Sequence, residues 1–328
     1  MNIRICNEGD ADVLNPDYCA SLIARLKEEA KNGDFSAYQK VKAIRVKIFK
    51  STEEFSNLGG YYIKDDTSKG FIPIENAKYM MYASRLFSYE IPAKEPQYKG
   101  FETHFSVVSE DCLDTAHRLA HRGLDSLLLN MANRRNPGGG VTSGAGAQEE
   151  TIFRRSNLFR SLYQFASYAS DYGLTKRAEQ YPLDRNFGGV YSPEVTVFRE
   201  DEEHGYRLMN NPFRTAVVSV ASINRPALTS EGLIVPEQTP GVKNKIRTIL
   251  RIALMYKHEN LVLGALGCGA FRNPPKHIAR LFHEVFEERE FKNQFNEVFF
   301  SILEDHNSHL GHNADGNFKP FFEEFSKQ

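Results

Sequence analysis

The sequence has 328 residues, a length typical of two domains or of one α/β domain with extensions. It contains 41 lysines and arginines against 42 aspartates and glutamates, and the resulting net charge of −1 excludes the strongly basic field of proteins that coat nucleic acids. A hydrophobic fraction of 41% is typical of a globular chain and argues against extended disorder. The composition therefore predicts a sizeable core and no general nucleic-acid binding.

The four cysteines, at positions 6, 19, 112 and 268, form no CxxC pair and no compact disulfide framework. This spacing predicts reduced thiols in a cytoplasmic protein. No apolar run near the N-terminus has the length of a signal peptide, and none elsewhere approaches the roughly 20 residues needed to span a bilayer. We expect neither a targeting segment nor a membrane partner.

The N-terminal third predicts two amphipathic helices followed by irregular structure. Apolar residues at helical spacing run from residue 16 to about 57, and Gly33 and Asp34 separate the two helices. Between Gly59 and Phe101, glycine, proline, tyrosine and alternating charge predict short strands and connecting loops. We expect residues 1–105 to form a helical and irregular accessory region packed on a larger domain of residues 106–328.

From Asp111 onward, predicted helices and strands alternate. The helices are expected at 111–122, 149–166, 241–257 and 275–289, and the strands at 126–132, 195–198, 215–223, 260–266 and 297–303. Buried strands that alternate with helices predict a mixed sheet between two helical layers, with ligands at the C-terminal ends of the strands. The sequence has no repeat with a period of about 20 to 50 residues, which excludes a solenoid.

Two glycine-rich loops each leave a predicted strand and enter a predicted helix. The first glycine loop, NMANRRNPGGGVTSGAGAQEE, covers residues 130–150, and the second glycine loop, GALGCGAFRNPP, covers residues 264–275. Glycines let backbone N–H groups approach an anion without obstruction by a side chain. The loops match neither a Walker A loop nor a dinucleotide-binding fingerprint, and Ser143 lacks the flanks of a nucleophile elbow.

We expect the two loops to clamp opposite sides of one extended phosphate ligand. The alternative for each loop alone is an ordinary tight turn between a strand and a helix. Cys268 in the second loop is expected to be a small buried residue, because no base is recognisable beside it.

The first glycine loop lies in a basic segment of this neutral chain. Between Arg118 and Arg160 there are seven arginines and three acidic residues, whereas from Glu284 onward there are four basic and ten acidic residues. A local excess of positive charge favours a small anionic ligand over a polymer backbone. The alternative is that most of these arginines lie on solvated helix faces.

Glu149 and Glu150 follow the first glycine loop at the expected start of a helix. Cleavage of a glycosidic bond requires a carboxyl group that protonates the departing oxygen while water is activated on the other side of the sugar. Burial or nearby phosphates would raise the pKa of such a carboxyl group, whereas a helix N-terminus would lower it. The alternative is that both glutamates only interact favourably with the helix dipole.

The run PGGG at 137–140, seven intervening residues and then QEE at 148–150 resemble the GGG…QEE signature of bacterial-type poly(ADP-ribose) glycohydrolases. Residues 190–199, 218–228 and 261–275 are similar to further blocks of that family in the same order. The resemblance covers about 110–303, and the N-terminal extension matches only loosely. It implies a three-layer α/β/α macrodomain with a mixed sheet and a helical N-terminal extension, which binds ADP-ribose in a cleft without metal or cofactor.

The resemblance also implies roles for single residues. Glu150 would protonate the ribose–ribose glycosidic oxygen and then activate the attacking water, Glu149 would hold ribose hydroxyls, and Gln148 would position the pair. The other substrate-binding residues that it implies are Asn133 at the distal ribose, Gly138, Gly139 and Gly140 along the ribose and phosphates, Gly267, Cys268, Gly269 and Ala270 around the diphosphate, and Phe271 against the adjoining ribose.

Two positions depart from the family pattern or are not assigned by it. Arg272 stands where many bacterial relatives have a small residue, so it would either reach a phosphate or narrow the cleft. For the aromatic side chain that stacks on adenine, Tyr191 and Phe198 are candidates.

Histidine clusters give weaker signals. His117 and His121 have helical i, i+4 spacing, but Arg118 stands where a zinc-protease motif requires glutamate. The run HNSHLGH at 306–312 is expected to be a polar connection, with metal binding as the alternative.

Together these features predict an exo-acting poly(ADP-ribose) glycohydrolase that releases ADP-ribose from the polymer. One alternative is a hydrolase that removes mono-ADP-ribose from protein or nucleic acid. Another is a non-catalytic macrodomain that binds ADP-ribose, although such a protein would have no need for the paired glutamates. The expected partner is ADP-ribose, poly(ADP-ribose) or an ADP-ribosylated macromolecule.

Overall fold

The computed structural model describes residues 15–63, 70–96, 100, 102–304 and 308–326, so Cys6 and His306 lie outside the described residues. The α-helices in these ranges are α1 (Pro16–Lys31), α2 (Phe35–Leu58), α3 (Ala77–Ala83), α4 (Cys112–His121), α5 (Gln148–Arg155), α6 (Leu158–Tyr163), α7 (Thr239–Met255), α8 (Pro275–Phe286) and α9 (Phe318–Phe325). The strands are β1 (Gly60–Tyr62), β2 (Phe71–Pro73), β3 (Arg85–Phe87), β4 (His104–Val108), β5 (Ser126–Met131), β6 (Gly189–Arg199), β7 (Leu208–Val220), β8 (Asn260–Leu263) and β9 (Glu297–Ser301).

Seven strands form one mixed sheet in the order β3-β6-β7-β5-β8-β9-β4. The run from β7 to β4 is parallel, whereas β6 is antiparallel to both of its neighbours. Strands β1 and β2 form a separate antiparallel pair. The parallel strands therefore all end at the same edge of the sheet.

Side chains of the central strands alternate between the two faces of the sheet. Leu127 and Leu129 of β5 pack in a core with α7, α8 and α9, whereas Leu128 packs on the other face with α4, α5 and α6. Because both faces are covered, these strands read as continuous apolar runs in the sequence. The three layers confirm the predicted α/β/α fold with a mixed sheet.

The N-terminal helices α1 and α2 pack as a hairpin that is separated where the sequence predicts. The Asn15 side chain caps α1 by accepting from Tyr18 N at 3.1 Å, and the Asp34 side chain caps α2 by accepting from Ser36 N at 2.8 Å. The hairpin has a small core of its own. Phe49 of α2 also enters the core on the face of α4 to α6, which joins the hairpin to the layers.

The expected domain boundary at residue 105 does not separate the strands of the sheet. Strand β3 precedes this position and pairs with β6, and β4 crosses it and pairs with β9. The division into residues 1–105 and 106–328 stays a prediction, and chain on both sides of it contributes to the sheet.

The prediction of a single helix at 149–166 is wrong, because the helix is interrupted between α5 and α6. Between α5 and α6, Ser156 forms an isolated bridge with Val197. Asn157 donates to Thr196 O at 3.2 Å and accepts from Thr196 N at 2.9 Å. Strand β6 therefore provides backbone hydrogen bonds that interrupt the helix.

The strands predicted at 195–198 and 215–223 belong to β6 and β7, which are longer because they pair with each other over much of their length. The sequence analysis assigned no helix to α3 or α9. None of the described helices is both long and apolar enough to cross a bilayer.

Candidate active site

A cleft of about 260 Å³ lies at the C-terminal ends of β5, β7, β8 and β9. The first glycine loop borders it through Gly146 and Ala147, and the second borders it through Gly267 and residues 269–271. The sequence predicts that the two loops face each other, and in the structure they do meet at one cleft. Its position at the ends of the parallel strands is the usual ligand site of open α/β sheets.

Gln148 ties the start of α5 to the end of β5. Its Oε1 accepts a hydrogen bond from Met131 N at 2.8 Å, and its Nε2 donates to Leu129 O at 2.7 Å. Because one side chain uses both its acceptor and its donor on the same strand, the first turn of α5 is fixed relative to β5. The resemblance implies that Gln148 positions the two glutamates, and that role stays a prediction.

Glu149 is almost fully buried, and both of its carboxyl oxygens accept backbone hydrogen bonds. Oε2 accepts from Asn133 N at 2.7 Å, and Oε1 accepts from Gly138 N at 3.0 Å. Burial raises the pKa of Glu149 to about 8, a shift that the charge of Glu150 increases and the two backbone donors oppose. Glu149 is thus held in one orientation and protonates more readily than an ordinary glutamate.

Glu150 is also buried, but only one of its oxygens is held. Oε1 accepts from Gly140 N at 2.8 Å, whereas Oε2 has no hydrogen-bond partner among the described residues. Gly139 has a φ of +55°, and a Cβ there would overlap Glu150 Oε1 and lie 3.1 Å from Glu149 Oε2. Only glycine lets the backbone approach both carboxyl groups so closely.

The N–H groups of the first glycine loop therefore bind the protein's own carboxyl groups. Gly138 and Gly140 donate to Glu149 and Glu150, which differs from the phosphate cradle expected from the sequence. The Asn133 side chain also acts within the loop, since its Oδ1 accepts from the backbone N–H groups of the next turn at 2.9 and 3.1 Å.

Asn273 holds the second glycine loop in shape. Its Nδ2 donates to Ile223 O at 2.7 Å and to Gly267 O at 3.0 Å. Gly267 has a φ of +77°, and a Cβ there would lie 2.5 Å from Ser222 Oγ, a buried hydroxyl that borders the cleft without a partner among the described residues. Cys268 is fully buried, as predicted, and burial raises the pKa of its thiol well above the usual range.

Of the residues predicted to contact the ligand, those that border the cleft are Gln148, Gly267, Gly269, Ala270 and Phe271. Those that do not border it are Asn133, Gly138, Gly139, Gly140, Glu149, Glu150 and Cys268. Phe271 is half-buried and borders it, whereas the neighbouring Arg272 is exposed and does not. Tyr191 and Phe198 are buried on β6 away from the cleft, and the Tyr191 ring stacks on Tyr256 with centroids 3.7 Å apart. Neither candidate for the aromatic that stacks on adenine therefore borders the cleft.

The arginines near the first glycine loop do not reach the cleft. Arg154 and Arg155 are buried, contrary to the expectation of a solvated helix face, and Arg155 pairs with Asp111 at 2.7 Å. Glu110 and Asp111 are the charged side chains among the described residues that border the cleft. The described residues that border the cleft thus include no lysine or arginine.

Three residues near Glu149 were missed by the sequence analysis. A hydrogen bond from the buried Asn130 side chain helps to lower the pKa of Glu149, and Asn130 also donates to Ser219 Oγ at 3.0 Å. Burial and then the Glu149 charge raise the pKa of Tyr181, whose hydroxyl has no partner in the described part of the chain. A polar residue inside an apolar strand was a usable signal for Asn130, but nothing in the sequence links Tyr181 or its neighbour Tyr168 to the site.

The histidines discussed in the sequence analysis do not border the cleft, but one of them contacts the second glycine loop. His117 and His121 contact each other through their Nε2 atoms at 2.9 Å, and the His117 ring stacks on Phe213. His312 Nε2 lies 2.7 Å from Cys268 O and so ties the C-terminal segment to the second glycine loop. The described residues contain no cluster of three or more side chains placed to hold a metal ion.

Comparison with known proteins agrees with this geometry. Residues 50–200 match the family described as microbial-type PARG, catalytic domain. The crystal structure of poly(ADP-ribose) glycohydrolase from Thermomonospora curvata bound to the inhibitor ADP-HPD is similar with a TM-score of 0.65 and 28% identity, over 86% of this chain and 98% of that chain. The enzyme from Deinococcus radiodurans in complex with ADP-ribose is similar with a TM-score of 0.60 and 27% identity, over 78% of this chain and 99% of that chain.

No curated protein sequence matches the chain significantly. The matched family segment contains the GGG and QEE residues, and the two solved enzymes share the fold over nearly their whole length. Over residues 50–200 and in its fold, the chain is therefore similar to the microbial-type poly(ADP-ribose) glycohydrolases.

Proposed function

We propose that this protein is an exo-acting poly(ADP-ribose) glycohydrolase that hydrolyses the ribose–ribose O-glycosidic bond and releases ADP-ribose. The observation that carries the proposal is the difference in hydrogen bonding between the two carboxyl oxygens of Glu150. Its Oε1 is fixed by Gly140 N at 2.8 Å, while its buried Oε2 has no partner among the described residues. A positioned carboxyl group with one unengaged oxygen suits proton transfer to and from a substrate.

The chemistry follows from this carboxyl group. Glu150 in its protonated form gives its proton to the glycosidic oxygen, so that the C1″–O bond breaks and the departing ribose leaves as an alcohol. The resulting Glu150 carboxylate then takes a proton from water as that water adds to the oxocarbenium carbon. This restores protonated Glu150, and the sequence of steps calls for no metal or cofactor.

Glu149 supports this reaction as a ribose anchor. Both of its oxygens accept backbone N–H groups, and the position left on each oxygen, a lone pair or the carboxyl proton, can engage a ribose hydroxyl. Its fixed orientation favours a single placement of the ribose beside Glu150. The two glutamates therefore differ in role because their hydrogen-bond partners differ.

The substrate side of the proposal is supported by the cleft and by the relatives. Backbone groups of the second glycine loop and the half-buried Phe271 border the cleft. The Thermomonospora curvata enzyme is bound to ADP-HPD and the Deinococcus radiodurans enzyme to ADP-ribose. We propose ADP-ribose, as a polymer terminus or a macromolecule-linked unit, as the group that this chain recognises.

We also place the protein in the cytoplasm. Cys19, Cys112 and Cys268 are free and buried, which suits a reducing compartment.

Mass identification of the product tests the proposed function. The protein is incubated separately with poly(ADP-ribose) and with a mono-ADP-ribosylated protein, and products are sampled from the earliest time points. We expect free ADP-ribose from the polymer, without early oligomeric fragments. Release from the mono-ADP-ribosylated substrate alone would favour the alternative hydrolase, and tight ADP-ribose binding with no release from either substrate would favour a binding protein.

A further inference from the structure

Residues 141–147 of the first glycine loop, between GGG and QEE, rest directly against the N-terminal helix α2. A Cβ at Gly144 would overlap Lys42 O, and a Cβ at Gly146 would overlap the Arg45 guanidinium. A side chain at Gly144 would force the loop away from the α2 backbone, and one at Gly146 would displace either the loop or the Arg45 guanidinium. Both glycines therefore serve a contact within the protein.

Arg45 joins α2 to this segment and to the β6–β7 connection. Its Nη1 donates to Gly144 O at 3.4 Å, while Nε and Nη2 donate to the two oxygens of Glu202 at 2.7 and 2.9 Å. The side chains of Arg45 and Glu202 are only 9% and 14% exposed. A bidentate pair with this little exposure holds one geometry more firmly than a surface pair does.

Arg154 completes a ring of contacts that runs through Arg45, Glu202 and Tyr206, and we call these four side chains the ring. Its Nε donates to the Tyr206 hydroxyl at 3.0 Å, and that hydroxyl donates to Glu202 Oε1 at 3.2 Å. Nη1 of Arg154 donates to Ala145 O at 2.7 Å. Two buried arginines thus bind adjacent carbonyl groups of the loop, at Gly144 and Ala145. Arg45 contacts Glu202 directly, and Arg154 reaches it through the Tyr206 hydroxyl.

Glu202 remains ionised in this ring. Burial acts to raise its pKa, but the hydrogen bonds and charge of Arg45, together with the charge of Lys27 from α1, lower it to about 2. Tyr206 and Arg154 are almost fully buried beside it. Removing this charge would leave buried arginines without compensation, which is costly in a low-dielectric environment.

Two hydrogen bonds separate Ala145, which Arg154 holds, from Glu150. Ala145 N donates to Gly140 O at 3.1 Å, and Gly140 N donates to Glu150 Oε1 at 2.8 Å. A shift of Ala145 therefore displaces Gly140, the residue whose N–H holds the proposed acid. The path is short and consists of backbone groups with little freedom to absorb a movement.

We propose that the ring of Arg45, Glu202, Tyr206 and Arg154 is a positioning device for Glu150, and that helix α2 is thereby part of the catalytic unit. The ring touches no reacting atom. The proposal rests on the proposed role of Glu150, and it assigns a function to the N-terminal helices.

The test compares Glu202→Gln and Tyr206→Phe with Arg207→Gln. Arg207 is a matched control because it lies on the same connection and pairs with Asp17 of α1 at the surface, outside the ring. We expect kcat on poly(ADP-ribose) to fall about 10- to 100-fold for Glu202→Gln and about 3- to 10-fold for Tyr206→Phe, because misplacement by about 1 Å is enough for such losses. KM should change by less than about threefold, and Arg207→Gln should stay within about twofold of the wild type.

Two further measurements separate positioning from a general loss of structure. Amide hydrogen exchange at Gly140 and Ala145 should accelerate in Glu202→Gln and not in Arg207→Gln. Arg45→Lys, which keeps a charge for Glu202, should retain more kcat than Arg45→Gln. Wild-type exchange at these amides in Glu202→Gln, or kcat losses in the ring variants no larger than in Arg207→Gln, would overturn the proposal.

The exchange measurement does not depend on turnover. If the wild-type protein releases nothing from the polymer, the proposed function fails, while faster exchange in the ring variants would still support the positioning of the loop. If the wild type is active and exchange is unchanged, the positioning proposal fails alone.

Discussion

The two glycine loops meet at the same cleft, yet they are built in different ways. The first donates the N–H groups of Gly138 and Gly140 to the protein's own glutamates and is braced from behind by α2. The second is held by the buried Asn273 from beneath and borders the cleft with its backbone. In the first loop glycine allows approach to a carboxyl group, whereas in the second it allows a tight turn against Ser222.

This difference indicates that the two loops have different roles in catalysis and binding. Changes in the first loop should act on the chemical step, since they move Glu149 and Glu150. Changes in the second loop should act on binding, since they move the surface that faces a ligand. The predictions below test whether kcat and affinity separate in this way.

The largest effect is expected from Gly139→Ala. The new Cβ would overlap Glu150 Oε1, so that carboxyl group must move. We expect kcat on poly(ADP-ribose) to fall about 100- to 1,000-fold, with affinity for ADP-ribose changed by less than about fivefold. Gly123→Ala is the control, because Gly123 has a similar φ of +73° but nothing near its Cβ. Equal losses in both variants would show that backbone strain, not the glutamates, is responsible.

Asn273→Ala should cost stability more than catalysis. The change removes hydrogen bonds to Ile223 O and Gly267 O at a fully buried position, and we expect the free energy of unfolding to fall by about 2–3 kcal/mol. Denaturant titration measures this change. In the fraction that remains folded, the kcat at saturating polymer should stay near the wild-type value. A large loss of kcat there would contradict the claim that the second loop does not act on the chemical step.

Gly267→Ala should weaken binding. Its Cβ would lie 2.5 Å from Ser222 Oγ and 2.6 Å from Asn273 Nδ2, which pushes the second loop into a new shape. We expect the affinity for ADP-ribose, measured by calorimetry, to fall about tenfold while kcat changes little. Gly59→Ala has the same φ of +77° in open space and serves as the control. A loss of kcat without a loss of affinity would contradict the assignment.

The last effect is the pH dependence of stability. Burial raises the pKa of Glu149 from 4.5 to about 8, so between these values the folded protein keeps a proton that the unfolded chain releases. The stability contributed by neutral Glu149 is complete below 4.5 and is lost as the pH rises through about 8. We expect Glu149→Gln to lose less free energy of unfolding than the wild type between these limits.

Glu53 also contributes to that slope, because burial raises its pKa to about 7. It is present in both proteins, so the difference between their slopes isolates Glu149. Identical slopes would mean that Glu149 is already ionised in the folded protein at neutral pH.

Features that are local in sequence were predictable. The buried strand β5, the glycines after it and the start of α5 at Gln148 all follow from residue type and spacing, and the two loops meet because parallel strands end at one edge. The resemblance added the roles of Glu149 and Glu150. Both face the same glycine segment in the structure.

Features that depend on distant partners were not predictable. The break at Ser156 arises from its pairing with Val197, and the burial of Arg154 arises from Tyr206. Arg45 and Glu202 are 157 positions apart, and neither has a local pattern that marks it. Spacing along the chain shows where charges lie but not which partner removes them from water.

The most direct test of the account is the rate at which Glu150→Gln releases ADP-ribose from poly(ADP-ribose). The amide keeps the shape of the side chain and an acceptor for Gly140 N but cannot deliver a proton to the glycosidic oxygen. We expect a loss on the order of 1,000-fold or more in rate, with ADP-ribose binding retained as evidence of an intact fold. Release at the wild-type rate would contradict the assignment of Glu150 as the acid.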